Sequence, residues 1–135
     1  MAREAPSKWS FPEVFEMKKI LIVEDEPDVA EVMKMLLVRD GYSAEISFDP
    51  RAALDMMKNY DLLLLDIMMP RMSGRQVLEE MKKRSIGVPV IVVSAVGLPI
   101  EMASEFSKLY PGVDFVAKTE MHTDLIRAIV EKIGK

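Results

Sequence analysis

The chain has 135 residues, of which 50% are hydrophobic and 30% charged, with a net charge of −4 and no cysteine. This length fits one domain with its own core, and the lack of cysteine excludes disulfides and thiolate metal sites and suits a reducing cytosol, so we expect a cytoplasmic protein. The acidic balance argues against direct nucleic-acid binding, and no apolar run approaches the roughly 20 residues of a membrane span.

The first sixteen residues differ in character from the rest of the chain. They show no clean period and contain two prolines, whereas regular patterns begin at Met17. We therefore treat 1–16 as an N-terminal extension of uncertain order and 17–135 as the folded domain. The apolar side chains of the extension leave two interpretations open, a loosely docked arm or a partner-binding segment.

From Met17 onward, short apolar runs alternate with amphipathic stretches. The runs are Ile20–Val23, Ala44–Ile46, Leu62–Leu65, Val90–Val93 and Phe115–Ala117. Such runs predict strands buried on both faces of a parallel sheet. Between them, apolar residues recur at helical spacing, most clearly over 29–37 and 125–133. A strand followed by a helix, five times over, predicts an α/β fold with helices on both faces of the sheet.

Polar residues follow four of the five predicted strands. Glu24 and Asp25 follow the first strand, Asp66 the third, Ser94 the fourth and Lys118 the fifth. In an open parallel sheet, ligands bind beyond the carboxyl ends of the strands. We therefore expect these five side chains to converge at one edge, although acidic residues at strand ends can also be ordinary solvated loop residues.

Three carboxylates in one place repel each other, by about 4 kcal/mol per pair at 4 Å and an effective dielectric of 20. Lys118 supplies one positive charge, and a divalent cation would supply two more. Oxygen ligands without histidine or cysteine indicate Mg²⁺. A carboxylate beside Mg²⁺ and a lysine can attack a phosphoryl group, which makes Asp66 a candidate nucleophile.

Four motifs in order resemble the receiver domains of response regulators in two-component signalling. They are ILIVEDEPDV, DLLLLDIMMPRMSG, PVIVVSA and FVAK. The resemblance covers about 18–133 and implies a flavodoxin-like (βα)5 three-layer sandwich with strand order 2-1-3-4-5. It also implies a phosphoprotein whose partner is a sensor histidine kinase or a phosphotransfer protein.

The resemblance assigns a magnesium site and a phosphoacceptor. Asp66 is expected to accept the phosphoryl group and to ligate Mg²⁺. Asp25 is expected to bind the metal directly, Glu24 through water, and Met68 through its backbone carbonyl.

The resemblance also implies the parts of a switch. Lys118 is expected to pair with the phosphoryl oxygens, and Ser94 to move inward and donate a hydrogen bond to them. Phe115 stands where the family has its switch aromatic. A homodimer through the fourth helix, fifth strand and fifth helix, within 99–133, is a further expectation.

The resemblance describes a signalling domain with intrinsic phosphorylation chemistry and not an enzyme acting on other substrates. The alternative is a pseudo-receiver that docks partners without being phosphorylated. A metal-dependent phosphatase is disfavoured, because Met68 stands where that class has a second aspartate.

The sequence departs from the family pattern in two places. Thr119 replaces the usual proline after Lys118, so we expect a trans peptide bond there. Met68 and Val96 are apolar at positions that influence water attack on the acyl phosphate, so we expect slow self-dephosphorylation.

Three remaining residues carry smaller expectations. His122, the single histidine, is expected to be solvated. Met35 and Val38 fall off the apolar stripe of the first helix, and we expect them either to contact the phosphodonor protein or to be unremarkable surface residues.

Overall fold

A computed structural model describes residues 17–95 and 99–135, and over these residues strands and helices alternate along the chain. The expected extension, 1–16, and Val96 lie outside the described residues. The elements are β1 (Lys19–Val23), α1 (Pro27–Arg39), β2 (Ser43–Ser47), α2 (Pro50–Met56), β3 (Leu62–Asp66), α3 (Gly74–Lys83), β4 (Val90–Ser94), α4 (Ile100–Leu109), β5 (Asp114–Ala117) and α5 (Met121–Ile133). Short 3₁₀ turns cover Met57–Asn59 and Lys118–Glu120.

The five strands form one parallel sheet in the order β2-β1-β3-β4-β5, which confirms the expected topology. The register aligns the carboxyl ends of the strands. Val23 pairs with both Ser47 and Leu65, and Ser94 pairs with Ala117. The residues just beyond these positions therefore share one edge of the sheet.

Two hydrophobic clusters lie on opposite faces of the sheet and make the three layers. One packs Leu21 and Leu63 against α2, α3 and α4, and the other packs Ile22 and Leu64 against α1 and α5. β3 and β4 are buried along their whole length, as predicted. The prediction was wrong for β2 and β5, which are partly exposed because each lies at an edge of the sheet.

Prolines and glycines mark the ends of the helices. Pro27 and Pro50 open α1 and α2, where a missing N–H costs no helical hydrogen bond. Gly41, after α1, has a φ of +94°, a left-handed conformation that favours glycine.

A few apolar side chains lie on the surface. Met35 and Val38 are 60% and 51% exposed, which confirms that they lie off the core stripe of α1. Val130 of α5 is also exposed, although it belongs to the apolar stripe predicted over 125–133. His122 is exposed as expected. None of the helices in the described part of the chain has the length and apolarity needed to cross a membrane.

Candidate functional site

Three carboxylates meet at the carboxyl edge of the sheet. Glu24 and Asp25 follow β1, and Asp66 ends β3, the neighbouring strand. One oxygen from each of the three lies within 4.8 Å of the others. Glu24 and Asp66 are buried, with 0% and 2% of their surface exposed, and Asp25 is half-buried. The structure therefore brings together the acidic residues that the sequence singled out.

Lys118 lies among these acids at the start of the turn that follows β5. Its Nζ is 2.8 Å from Glu24 Oε1, 3.4 Å from Glu26 Oε1 and 3.5 Å from Asp66 Oδ1. Burial lowers the pKa of Lys118, but the hydrogen bond to Glu24 and the charges of Asp66, Glu24 and Glu26 outweigh it, so the pKa is raised overall. The ammonium is therefore charged, and it lies closer to Glu24 than to Asp66.

Asp66 has an unusual protonation equilibrium for an aspartate. Burial raises its pKa to about 7, and the hydrogen bond and negative charge of Glu24 act in the same direction. The backbone N–H of Met68, which donates to Asp66 Oδ1 at 3.2 Å, and the ammonium of Lys118 lower the pKa by less. Without a cation, Asp66 is therefore only partly ionised near neutral pH.

The loop from β3 to α3 is fixed by a close backbone approach. A Cβ on Gly74 would lie 2.8 Å from Ile67 Cα and 3.1 Å from the Asp66 carbonyl oxygen, so only glycine fits without a shift. The Gly74 N–H donates to the Ile67 carbonyl at 3.0 Å. Ser73 and Gln76 form a capping box that begins α3 at this point. These contacts hold the backbone that follows Asp66.

Ser94 and Phe115 lie at different depths relative to the acids. Ser94 is buried at the end of β4, in register with Ala117, and so lies at the same edge as Asp66. Phe115 is half-buried inside β5, and its ring stacks on Phe106 of α4 with centroids 6.3 Å apart. The aromatic side chain thus contacts α4 and packs on the cluster beneath the edge.

The peptide bond after Lys118 is trans, as predicted, because no cis bond occurs in the residues that the structure describes. Thr119 continues into the 3₁₀ turn Lys118–Glu120, which leads directly to α5. With this backbone path, the Lys118 ammonium still contacts the Glu24 carboxylate.

Sequence reasoning missed Glu26. This residue precedes α1, and its carboxylate is a fourth negative charge near Lys118. The only signal was that Glu26 is the third acidic residue of the run EDE at 24–26, and nothing in the sequence predicted a contact with Lys118.

The donor set fits a magnesium ion. Among the described residues, Asp25 Oδ1 and Asp66 Oδ2 are buried and accept no hydrogen bond. Buried oxygens without a partner are costly, and a hard cation that prefers oxygen ligands would satisfy them. Glu24 Oε1, in contrast, contacts the Lys118 ammonium at 2.8 Å, which offsets its charge.

Comparisons with known proteins agree with this architecture. A family model described as the response regulator receiver domain matches residues 20–130. The transcriptional regulatory protein DltR of Streptococcus agalactiae is 32% identical over 129 residues, which cover 86% of this chain and 58% of DltR. The sensory transduction protein RegX3 of Mycobacterium tuberculosis is 34% identical over 128 residues, covering 87% of this chain and 53% of RegX3.

Solved structures give the same result. A CheY-like response regulator receiver domain protein from Methanospirillum hungatei aligns with a TM-score of 0.74 and 31% identity, covering 87% of this chain and 94% of that chain. The receiver domain of the histidine kinase CKI1 from Arabidopsis thaliana, in complex with Mg²⁺ and BeF₃⁻, aligns with a TM-score of 0.70 and 26% identity, covering 89% and 95%. The chain spans little more than half the length of DltR and RegX3. With the fold, the edge acids and the family match in agreement, the chain belongs to the receiver domains of two-component response regulators.

Proposed function

We propose that Asp66 accepts a phosphoryl group in a Mg²⁺-dependent reaction, and that the resulting change of conformation carries a signal. One observation carries the proposal above the others. A buried carboxylate lies within 4.8 Å of two more carboxylates and 3.5 Å from a lysine ammonium, and one of its oxygens has no hydrogen-bond partner among the described residues. Without a cation, this arrangement is electrostatically unfavourable.

The residues around Asp66 would hold the metal ion. Asp25 and Asp66 offer carboxylate oxygens, Met68 its backbone carbonyl, and Glu24 a carboxylate that can act through water. When bound, Mg²⁺ supplies positive charge that favours the ionised form of Asp66 and neutralises charge on the phosphoryl oxygens.

The protein's own groups then position the reactants. An Asp66 carboxylate oxygen forms a bond to phosphorus while the bond from phosphorus to the donor atom breaks, and the electron pair of that bond leaves with the donor. For a phosphohistidine donor, the leaving nitrogen takes up a proton and becomes neutral imidazole. The Lys118 ammonium, now 3.5 Å from Asp66 Oδ1, is the nearest cation for the new phosphoryl oxygens. Such transfers depend mainly on positioning and on charge stabilisation.

The signal would leave the site through the neighbouring strands. We infer that the Ser94 hydroxyl donates to the phosphoryl group, and that Phe115 turns inward when Ser94 moves. The stacking of Phe115 on Phe106 supports this, because a rotation of Phe115 changes a contact with α4. A homodimer through α4, β5 and α5 would use the same region.

The partner class follows from the family. Receiver domains work with histidine kinases or phosphotransfer proteins, and we propose such a protein as the donor. The CKI1 receiver domain was solved with Mg²⁺ and BeF₃⁻, a phosphoryl mimic, which supports the same chemistry at the matching site here. DltR and RegX3 are regulatory proteins that are longer than this chain, so we also propose a downstream protein target for the signal.

The test is the intact mass after incubation with acetyl phosphate, with Mg²⁺ or with EDTA. We expect one added phosphoryl group in the wild type with Mg²⁺, and none with EDTA or in Asp66→Asn. Asp114→Asn, an exposed aspartate at the start of β5, is the matched control and should still be labelled. Absence of the adduct from folded wild-type protein, with acetyl phosphate and with a phosphohistidine donor, would instead support the pseudo-receiver alternative.

A further inference from the structure

Glu26 contacts Lys118 from outside the group of three acids. Its Oε1 lies 3.4 Å from Lys118 Nζ, and its side chain is 64% exposed. Its backbone N–H donates to Glu24 Oε2 at 3.2 Å, which fixes the start of the side chain beside the site. Although Glu26 is the N-cap residue of α1, its side chain makes no capping hydrogen bond. The carboxylate is therefore available to Lys118.

We propose that Glu26 is a positioning residue that restrains Lys118 in the unphosphorylated protein and thereby slows phosphoryl transfer to Asp66. This inference rests on the proposed function of Asp66. It assigns Glu26 a role that opposes the reaction, in contrast to the residues that favour it.

Three carboxylates share the Lys118 ammonium. The ammonium is nearest to Glu24, and it is about equally far from Glu26 and Asp66. To contact phosphoryl oxygens on Asp66, it has to move away from carboxylates on the β1 side. Each ion pair between Lys118 and a carboxylate on the β1 side therefore raises the barrier to movement of the ammonium toward the phosphoryl oxygens.

A bound cation would weaken the ion pair of Lys118 with Glu24 but not its ion pair with Glu26. Glu24 belongs to the group of three whose oxygens lie within 4.8 Å of one another, so a cation there offsets its charge. Glu26 is not in that group, and its exposed carboxylate keeps its full charge. The restraint by Glu26 thus persists when the site is loaded, while the restraint by Glu24 weakens.

The expected size of the effect follows from the exposure of the pair. Ion pairs with a solvent-exposed partner are weak, and losing one corresponds to a change of about two- to five-fold. We therefore expect Glu26→Gln to accelerate phosphorylation of Asp66 by about that factor.

A negative charge at the mouth of the site would also slow the reaction by repelling an anionic donor. Two features separate this explanation from a contact with Lys118. Repulsion depends on the charge of the donor, so it acts more on dianionic acetyl phosphate than on the less charged phosphoramidate. Repulsion also survives a shortening of the side chain, whereas a contact at 3.4 Å does not.

The experiment measures the rate of Asp66 phosphorylation by intact mass in the presence of Mg²⁺. Two phosphoryl donors, acetyl phosphate and phosphoramidate, are used in separate reactions. The variants are Glu26→Gln, which removes the charge, and Glu26→Asp, which keeps the charge but withdraws it by one methylene. Asp28→Asn is the matched control, since Asp28 is an exposed acid in the first turn of α1. Circular dichroism verifies that each variant is folded.

We expect Glu26→Gln and Glu26→Asp each to accelerate labelling by about two- to five-fold, equally with both donors, while Asp28→Asn reacts like the wild type. The inference is overturned if neither Glu26 variant reacts faster. It is also overturned if Glu26→Asp matches the wild type while Glu26→Gln accelerates mainly with acetyl phosphate, which would indicate repulsion. A wild type that reacts with neither of these donors, nor with a phosphohistidine donor, would instead refute the proposed function of Asp66.

Discussion

Replacing Asp66 by asparagine is expected to stabilise the metal-free protein. In the folded chain, the Asp66 carboxylate has oxygens within 4.8 Å of those of Glu24 and Asp25. At this limiting distance and an effective dielectric of 20, each repulsion costs about 3.5 kcal/mol. The ion pair with Lys118 at 3.5 Å offsets about 4.7 kcal/mol of this. The balance is about 2 kcal/mol of net repulsion, and desolvation of the buried carboxylate, the largest cause of its raised pKa, adds to it. Asp66→Asn removes both costs above pH 7.

The stability gained by Asp66→Asn should increase with pH. The pKa of Asp66 is raised from 3.8 to about 7 on folding, so the folded state binds more protons than the unfolded state between these values. Wild-type stability therefore falls as pH rises from about 4 to about 7, and the fall is complete above that. Asp66→Asn lacks this loss. At about 1.4 kcal/mol per pKa unit, its advantage should be near zero at pH 4 and reach about 4 kcal/mol at pH 8.

Urea denaturation in EDTA at pH 4, 6 and 8 measures this difference. Asp28→Asn is the control, because it removes an exposed charge from the first turn of α1 and should cost a few tenths of a kcal/mol at each pH. The electrostatic reasoning fails if Asp66→Asn is less stable than the wild type at pH 8. It fails equally if the advantage is the same at pH 4 and pH 8.

Three further predictions test the loop, the metal and the lifetime of the phosphoryl group. Gly74→Ala should lose about 1–3 kcal/mol of unfolding free energy, because its Cβ would lie 2.8 Å from Ile67 Cα. Gly87→Ala is the control, because a Cβ there meets nothing within 4 Å. Equal losses in the two variants would contradict the prediction. Mg²⁺ affinity, measured by calorimetry, should fall as pH drops below about 7, because a proton on Asp66 competes with the metal; an affinity that is constant from pH 6 to pH 8 would contradict this. Met68→Asn should hydrolyse its phosphoryl group faster than the wild type, because the 75% exposed Met68 side chain cannot orient water, and an unchanged decay of the mass adduct would count against that role.

The strands could be predicted from the sequence because their cores are uninterrupted apolar runs. Val90 to Val93 reads as a buried strand, and the structure buries all of β4. The edge strands were harder, because exposure at an edge depends on strand order. That order came from the resemblance to receiver domains and not from periodicity, since local patterns do not say which strands are neighbours.

The site residues were predictable for a different reason. Asp66, Ser94 and Lys118 each stand at the end of a strand or directly after it, so the parallel register alone brings them to one edge. Contacts between long side chains were not predictable in this way. The contact between Glu26 and Lys118 joins residues 92 positions apart and depends on the turn after β5, whose path departs from the family pattern at Thr119.

The electrostatic cost at the site and its affinity for a cation have the same origin. The repulsion that disfavours the metal-free fold disappears when a cation binds. The free energy by which Asp66 destabilises the metal-free protein therefore adds to the free energy of cation binding. Asp66→Asn should therefore do two linked things, raising the stability of the metal-free protein and removing much of the stabilisation by Mg²⁺. A variant that gained stability but kept the full response to Mg²⁺ would place the metal on other oxygens than those of Asp66.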